Sequence, residues 1–288
     1  MSNYKSIKLS PGLYFVSTPI GSARDITLRA LDILANADVL AAEDTRTLKK
    51  LLEIHGIKLK NRRLISYHDH NGSKARPKLL AYLEKGKSVA YASEAGTPLI
   101  ADPGFSLLNE VLNLENNVTS APGPCALIAA LTVAGLPTDR FYFEGFLPTN
   151  KSQRELKFRG LKSYRGTLIF YESAKRLNDT LVKATEVFGG DRQGVICREL
   201  TKKFENIKRG SLKELSEFYC DKNVKGEIVL LVAGAVNPDI ERSAIEQHVK
   251  DALKSMSVKD AAEAVALAFN VPRRDVYQLA LKIKSVDD

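Results

Sequence analysis

The spacing of apolar positions changes repeatedly along the chain, and those changes predict its elements. In the first half, short β-rich runs alternate with stretches of helical period. Residues 13–21 (LYFVSTPIG) read as a strand entering a turn, and 25–36 then carry Ile26, Ala30, Ile33 and Leu34 on one helical side. Residues 38–44 predict a second strand, 45–56 a helix stopped by Gly56, and 62–68 a third strand. After a polar loop, 75–86 predict a helix, and 88–93 a buried strand running into SEAGTPLIADPG at 93–104. A helix over 105–114, a strand over 117–122 and an apolar helix over 124–135, with Pro124 at its start, complete this half.

That alternation predicts a mostly parallel sheet with helices on its faces. In such sheets ligands collect at the carboxyl ends of the strands. The unusual turns at 18–21, 43–46, 93–104 and 121–124 each follow a strand, so the pattern sets them along one edge. The second half has a different grammar. Strands are predicted over 140–148, 166–173, 193–200, 205–212 and 226–234, with helices over 151–163 and 174–188. The expected organisation is an N-terminal α/β domain over 1–135 and a second α/β domain over 136–238. A helical extension over 239–288 would contact RNA or a dimer partner. In that extension, helices over 261–269 and 275–284 flank a turn at NVPRR.

Composition adds exclusions. With 44% hydrophobic and 27% charged residues the chain reads as a globular protein, and the absence of Trp argues against an aromatic cage. No signal-peptide order marks the first residues, and no apolar run is long enough to span a bilayer. Cys125, Cys197 and Cys220 form no CxxC pair, an odd count that fits a reducing compartment and a cytoplasmic location. Of the net charge of +9, residues 151–239 hold 18 basic against 12 acidic side chains. Residues 151–165 alone carry Lys151, Arg154, Lys157, Arg159, Lys162 and Arg165 against one acid. Such an excess suits a polyanion, RNA first, or else a solvated face.

The turns carry the candidate chemistry. Gly96 and Gly104 permit tight backbone conformations in SEAGTPLIADPG, and Pro98 and Pro103 stiffen it. By residue type alone it is a stiff structural loop, and neither GxGxxG nor a P-loop occurs in the chain. Cys125 in APGPCA reads as a small residue beside a ligand rather than a nucleophile. Arg24, Glu43, Asp44 and Arg46 stand at strand ends of the first half, and Glu172, Arg198, Glu199 and Lys202 at those of the second. They are candidate bases and cations, with capping and surface pairing as the plain alternative. His68 and His70 stand two apart with no further His or Cys nearby, and no metal site is expected.

Taken in series, GLYFVSTPIGSARDITLRAL, VLAAEDTR, SEAGTPLIADPG and TSAPGPCALIAAL resemble the first domain of the tetrapyrrole-methylase superfamily. YHDHN, FYFEGFLP, LIFYESAKRL, ICRELTKKFENIKRG and KGEIVLLVAG resemble its group of small-subunit ribosomal RNA methyltransferases. The resemblance runs from about Gly12 to Gly234. It implies a dimeric class III methyltransferase of two α/β domains holding S-adenosylmethionine in their cleft. It also implies methylation of a cytidine ribose 2′-hydroxyl in the decoding region of 16S rRNA. By position, Ile20, Ala95, Gly96, Thr97, Pro98, Ile100, Cys125 and Ala126 would touch the cofactor, with Tyr171 and Glu227 closing the site. Glu94 and Cys125 depart from the residues more common in that group, Asp and Ser. A tetrapyrrole methyltransferase, or an inert RNA-binding assembly factor on the same fold, are the competing readings.

Overall fold

The computed structural model describes residues 3–68, 70–235, 238–269 and 271–287. The first sheet contains β1 (Gly12–Val16), β2 (Val39–Ala42), β3 (Arg63–Ser66), β4 (Ser88–Ala92) and β5 (Val118–Ala121). Every pairing in it is parallel, in the order β3-β2-β4-β1-β5. Parallel neighbours need crossovers, which α1 (Leu28–Asn36), α2 (Thr45–Ile54), α3 (Gly72–Glu84) and α4 (Phe105–Asn113) supply. Alternate residues of each strand feed different cores. Leu13, Phe15, Val89 and Tyr91 pack with Leu79 and Leu107 on one face, whereas Val16, Ala90 and Ala92 pack with Leu31 and Leu51 on the other. Both faces are covered, which is why β4 reads as an unbroken apolar run.

Several boundaries differ from the expected ones for identifiable reasons. α1 starts at Leu28 because the Thr27 side chain accepts the Ala30 amide at 3.1 Å and caps the helix there. α3 starts earlier, at Gly72, where Asn71 folds its side chain back onto Ser66 and His68. α5 (Ala126–Ala134) starts two residues after Pro124, whose carbonyl is held in the preceding turn by the Thr97 hydroxyl at 2.9 Å.

The second sheet contains β6 (Phe141–Phe146), β7 (Thr167–Ser173), β8 (Gln193–Arg198), β9 (Asn206–Ser211) and β10 (Glu227–Val232). Its order is β6-β7-β10-β8-β9, and only β6 and β7 run parallel. β8 stops at Arg198 because Glu199 and Thr201 take left-handed backbone, φ 52° and 63°. α6 (Lys151–Leu161), α7 (Leu177–Phe188) and α8 (Leu212–Tyr219) close a core around Phe158, Phe170, Leu181, Leu215 and Leu230. The other face is covered by α5, whose Leu127, Ala130 and Leu131 pack on Ile169, Val195, Val229 and Leu231. α5 thus leaves the edge of the first sheet and lies on the second. Arg209 of β9 donates to the Ala134 carbonyl at its end, 3.0 Å away. Residues 1–234 form one compact unit.

Residues 235–288 form a separate compact unit of α9 (Pro238–Leu253), α10 (Val258–Phe269) and α11 (Arg273–Asp287). Its small core of Val249, Ala262, Val265, Val276 and Ala280 lets the three helices approach closely. Among the described residues no helix is long and apolar enough to cross a membrane.

Candidate active site

The four strand-end turns of the first sheet share its carboxyl edge, and those at 18–21, 93–104 and 121–124 are laced together. Thr18 and Gly96 exchange backbone hydrogen bonds of 2.9 and 3.0 Å. The Thr18 hydroxyl donates to the Ser93 carbonyl at 3.2 Å, and the Ser93 hydroxyl to the Gly96 carbonyl at 2.5 Å. Thr97 reaches the Pro124 carbonyl, tying the long turn to the one before α5. Gly96 sits at φ 85°, and a Cβ there would stand 3.3 Å from Ile20. Gly123 admits the close approach of Ser17, whose Cβ an added side chain would meet at 2.8 Å. Leu99 and Ala101 also hold positive φ, 72° and 60°, in the long turn. Such backbone persists only where its surroundings over-determine it.

Above these turns lies a cavity of about 440 Å³. Ile20, Ala95, Gly96, Thr97, Ile100, Cys125, Ala126, Tyr171 and Glu227 all line it. Pro98 is brought to the same turn but is buried away from the cavity wall, so it stiffens the turn rather than facing a ligand. From the second sheet, Tyr171 accepts the Leu127 amide at 3.2 Å, and Phe143 and Phe146 stand edge-on to its ring at 4.8 and 5.5 Å. Burial, with Cys125 beside it, drives the Tyr171 phenol well above its ordinary range, so it stays neutral. Gly226 (φ 98°) is pressed against Glu199, where a Cβ would stand 2.5 Å from that side chain. Glu199 accepts the Glu227 amide at 3.0 Å and Lys202 at 2.9 Å, and both hold its carboxyl below the usual range. Lys202 also pairs with Glu227 at 2.8 Å, which fixes that rim of the cavity.

The candidate bases and cations separate into distinct groups. Glu43 and Glu172 line the cavity; Arg24, Asp44, Arg46, Arg198, Glu199 and Lys202 do not. The Glu172 side chain is fully buried and consumed by Arg176 at 2.6 Å, Thr180 at 2.7 Å and the Ser173 amide at 2.7 Å. Asp44 caps α2 and pairs with Arg46, which lowers its carboxyl to about 2. Arg24 is exposed, and Arg198 donates to the Lys225 carbonyl at 3.3 Å. The basic segment is also divided. Arg154 is only 2% exposed, packed within the second core, and is thereby removed from any RNA-facing set. Lys151 pairs with Asp179 at 3.1 Å, Lys157 with Glu144 at 2.7 Å and Arg159 with Glu155 at 2.7 Å, while Lys162 and Arg165 are exposed. His68 and His70 face each other at 6.0 Å, with Asp69 between them outside the described residues. Among the described residues no group of three His, Cys, Asp or Glu side chains converges as a metal site.

Two acids absent from the expected site also line the cavity, Glu94 and Asp102. Burial, together with Glu43 and Glu94 nearby, pushes the Asp102 carboxyl up to about 7. The signal in the sequence was its setting: a lone acid between Ile100, Ala101 and Pro103 inside the long turn. Leu200, Val229 and Phe146 complete the apolar wall, supplied by residues too distant in sequence to be placed by spacing.

The chain matches the family described as Tetrapyrrole (Corrin/Porphyrin) Methylases over residues 12–216, and the RsmI C-terminal HTH domain over 240–284. A Ribosomal RNA small subunit methyltransferase I of Mesorhizobium japonicum is 43% identical over 277 residues, covering 96% of this chain and 93% of its own. The protein of that name from Bacillus subtilis is 36% identical over 273 residues, covering 92% of each. Among solved structures, a cobalt precorrin-4 methyltransferase superposes with a TM-score of 0.59 at 16% identity, over 77% of this chain and 94% of its own. A uroporphyrin-III C-methyltransferase from Thermus thermophilus, complexed with S-adenyl homocysteine, gives 0.54 at 18% identity, over 77% and 97%. Fold and family match together define a methyltransferase of the tetrapyrrole-methylase class. Within that class the chain belongs to the ribosomal RNA small subunit methyltransferase I family.

Proposed function

We propose that this protein transfers a methyl group from S-adenosylmethionine to a cytidine ribose 2′-hydroxyl in the decoding region of 16S rRNA. The observation that carries this reading is the single cavity whose wall unites Gly96, Thr97, Cys125 and Ala126 of the first sheet's turns with Tyr171 and Glu227 of the second. Its residues fit the donor. Ile20, Leu200 and Val229 offer an apolar surface for a base, and exposed backbone in the strained turn suits a sugar and an amino-acid tail. Glu43, Glu94 and Asp102 complement a ligand with a sulfonium and an ammonium. A cavity of this size lies within the range of small-molecule sites.

S-adenosylmethionine supplies an already activated methyl group. The protein's part is to align an acceptor oxygen with it, exclude water and receive a proton. Tyr171 and the Lys202–Glu199–Glu227 network hold the second sheet's wall in place, and Thr18, Ser93 and Thr97 hold the first. RNA as acceptor rests on the relatives' names and on the exposed Lys151, Lys157, Arg159, Lys162 and Arg165. The helical unit from 235 onward adds a second candidate RNA contact, consistent with the helix-turn-helix description it matches. A cytoplasmic homodimer belongs to the same proposal.

The test is nucleotide-resolution mapping of 2′-O-methylation in small-subunit rRNA from cells with and without the gene, beside an assay with a porphyrinoid acceptor. Loss of one cytidine methylation with the gene supports the proposal. Methyl incorporation into the porphyrinoid alone overturns it.

A further inference from the structure

Asp102 is a cavity carboxyl that no hydrogen bond or ion pair engages among the described residues. Its charged neighbours are Glu43 at the end of β2 and Glu94 beyond the end of β4, while Tyr171 of β7 feels it from the second sheet. The sheet order explains this placement. β2 and β4 lie on one side of β1, so their turns give the cavity an acidic side. Ile20 after β1 and Cys125 after β5 join an apolar cluster with Leu200 and Val229 on the other. Asp102 shares the cavity wall with Glu43 and Glu94 of the acidic side and with Tyr171 of the second sheet. Two other cavity acids are committed elsewhere, Glu172 to Arg176 and Thr180 and Glu227 to Lys202, as are Asp44 to Arg46 and Glu199 to Lys202 just outside it.

Building on the proposed methyl transfer, we infer that Asp102 is the catalytic residue that accepts the proton of the acceptor hydroxyl. The hydroxyl's O–H bond breaks and its proton passes to an Asp102 carboxylate oxygen. The acceptor oxygen forms the new bond to the methyl carbon, and the electron pair of the broken S–CH₃ bond stays on sulfur. Burial beside Glu43 and Glu94 makes Asp102 a stronger base than a solvated aspartate, at about 7. A sulfonium nearby favours its ionised form, ready to accept. As transfer proceeds that positive charge disappears, so the carboxylate's proton affinity rises in the same step that releases a proton.

Calorimetry of the wild-type protein near pH 7, in two buffers of different ionisation enthalpy, reads the first half of this cycle. S-adenosylmethionine is expected to release about half a proton on binding, and S-adenosylhomocysteine, which keeps the ammonium but lacks the sulfonium, clearly less. Single-turnover methylation at saturating donor reads the second half. Asp102→Asn is expected to slow it about 10²–10⁴-fold and to abolish its rise with pH, with Asp102→Glu restoring part of both. Equal proton release by the two ligands, or a wild-type rate and pH profile in Asp102→Asn, overturns the inference. A wild-type protein that neither binds the donor nor methylates rRNA overturns the proposed function itself.

Discussion

Thr18 and Gly96 exchange two backbone hydrogen bonds, 2.9 and 3.0 Å long, and so clamp the first strand-end turn onto the long one. Gly96 holds φ 85° there, with Ile20 3.3 Å from where a Cβ would stand. Gly96→Ala forces both a strained backbone and a shift of Ile20, at a cost of about 1–2 kcal/mol. Titration calorimetry should show donor affinity weakened roughly tenfold or more, with the helical signal of the protein unchanged.

Glu172 lines the cavity, but its carboxylate is spent on Arg176, Thr180 and the Ser173 amide. Removing one partner of a buried ion pair leaves the other uncompensated, typically at 3–5 kcal/mol. Glu172→Ala should therefore lower the melting temperature by about 6–15 °C. The fraction that remains folded should keep wild-type donor affinity; selective loss of turnover without loss of stability would instead give Glu172 a chemical role.

Asp102 makes stability depend on pH. Its folded carboxyl lies at about 7 against 3.8 for an ordinary aspartate, so folding favours the protonated form. The associated stability is fully present below pH 3.8 and is lost as pH rises through about 7. Asp102→Asn removes the dependence. In thermal melts of the ligand-free protein, the variant should gain about 2–4 °C on wild type at pH 8 relative to the difference at pH 5. The carboxyl keeps contact with water, which holds the effect to that size. A pH-independent difference would contradict this placement.

The basic segment contains cations with different work. Lys162 and Arg165 are exposed, whereas Arg154 is buried against the core that holds Phe158. Lys162→Ala with Arg165→Ala should weaken rRNA binding and flatten the slope of log affinity against log salt by about 1.5. Arg154→Ala should leave that slope unchanged and lower thermal stability. Filter binding across a salt series with the three proteins checks both outcomes.

The first sheet was readable in the sequence because burial on both faces leaves a plain signature, as in Val89, Ala90 and Tyr91, and because glycines mark the turns. α8 was missed. Its Leu212, Leu215 and Tyr219 follow directly on β9 with no intervening loop, so the capping box of Ser211 and Glu214, a helix-start signal, was absorbed into the strand reading. The long turn's cavity-lining residues were legible from order and resemblance, since they are local in sequence. Asp102 was not singled out, because its unusual proton affinity comes from Glu43 and Glu94, which only the folding of β2 beside β4 brings near. The roles of Glu172 and Arg154 were equally hidden: a charged residue at a strand end or in a basic run carries no mark of whether tertiary packing will bury it.

The cavity wall formed by Gly96, Thr97 and the turn before α5 is drawn mainly in main chain, with its shape set by positive φ and carbonyl ties rather than by charged side chains. Drift at such a wall is filtered by bulk more than by polarity. That construction also divides the cavity into two kinds of wall: one shaped by backbone geometry, the other by side chains such as Tyr171, Leu200 and Val229.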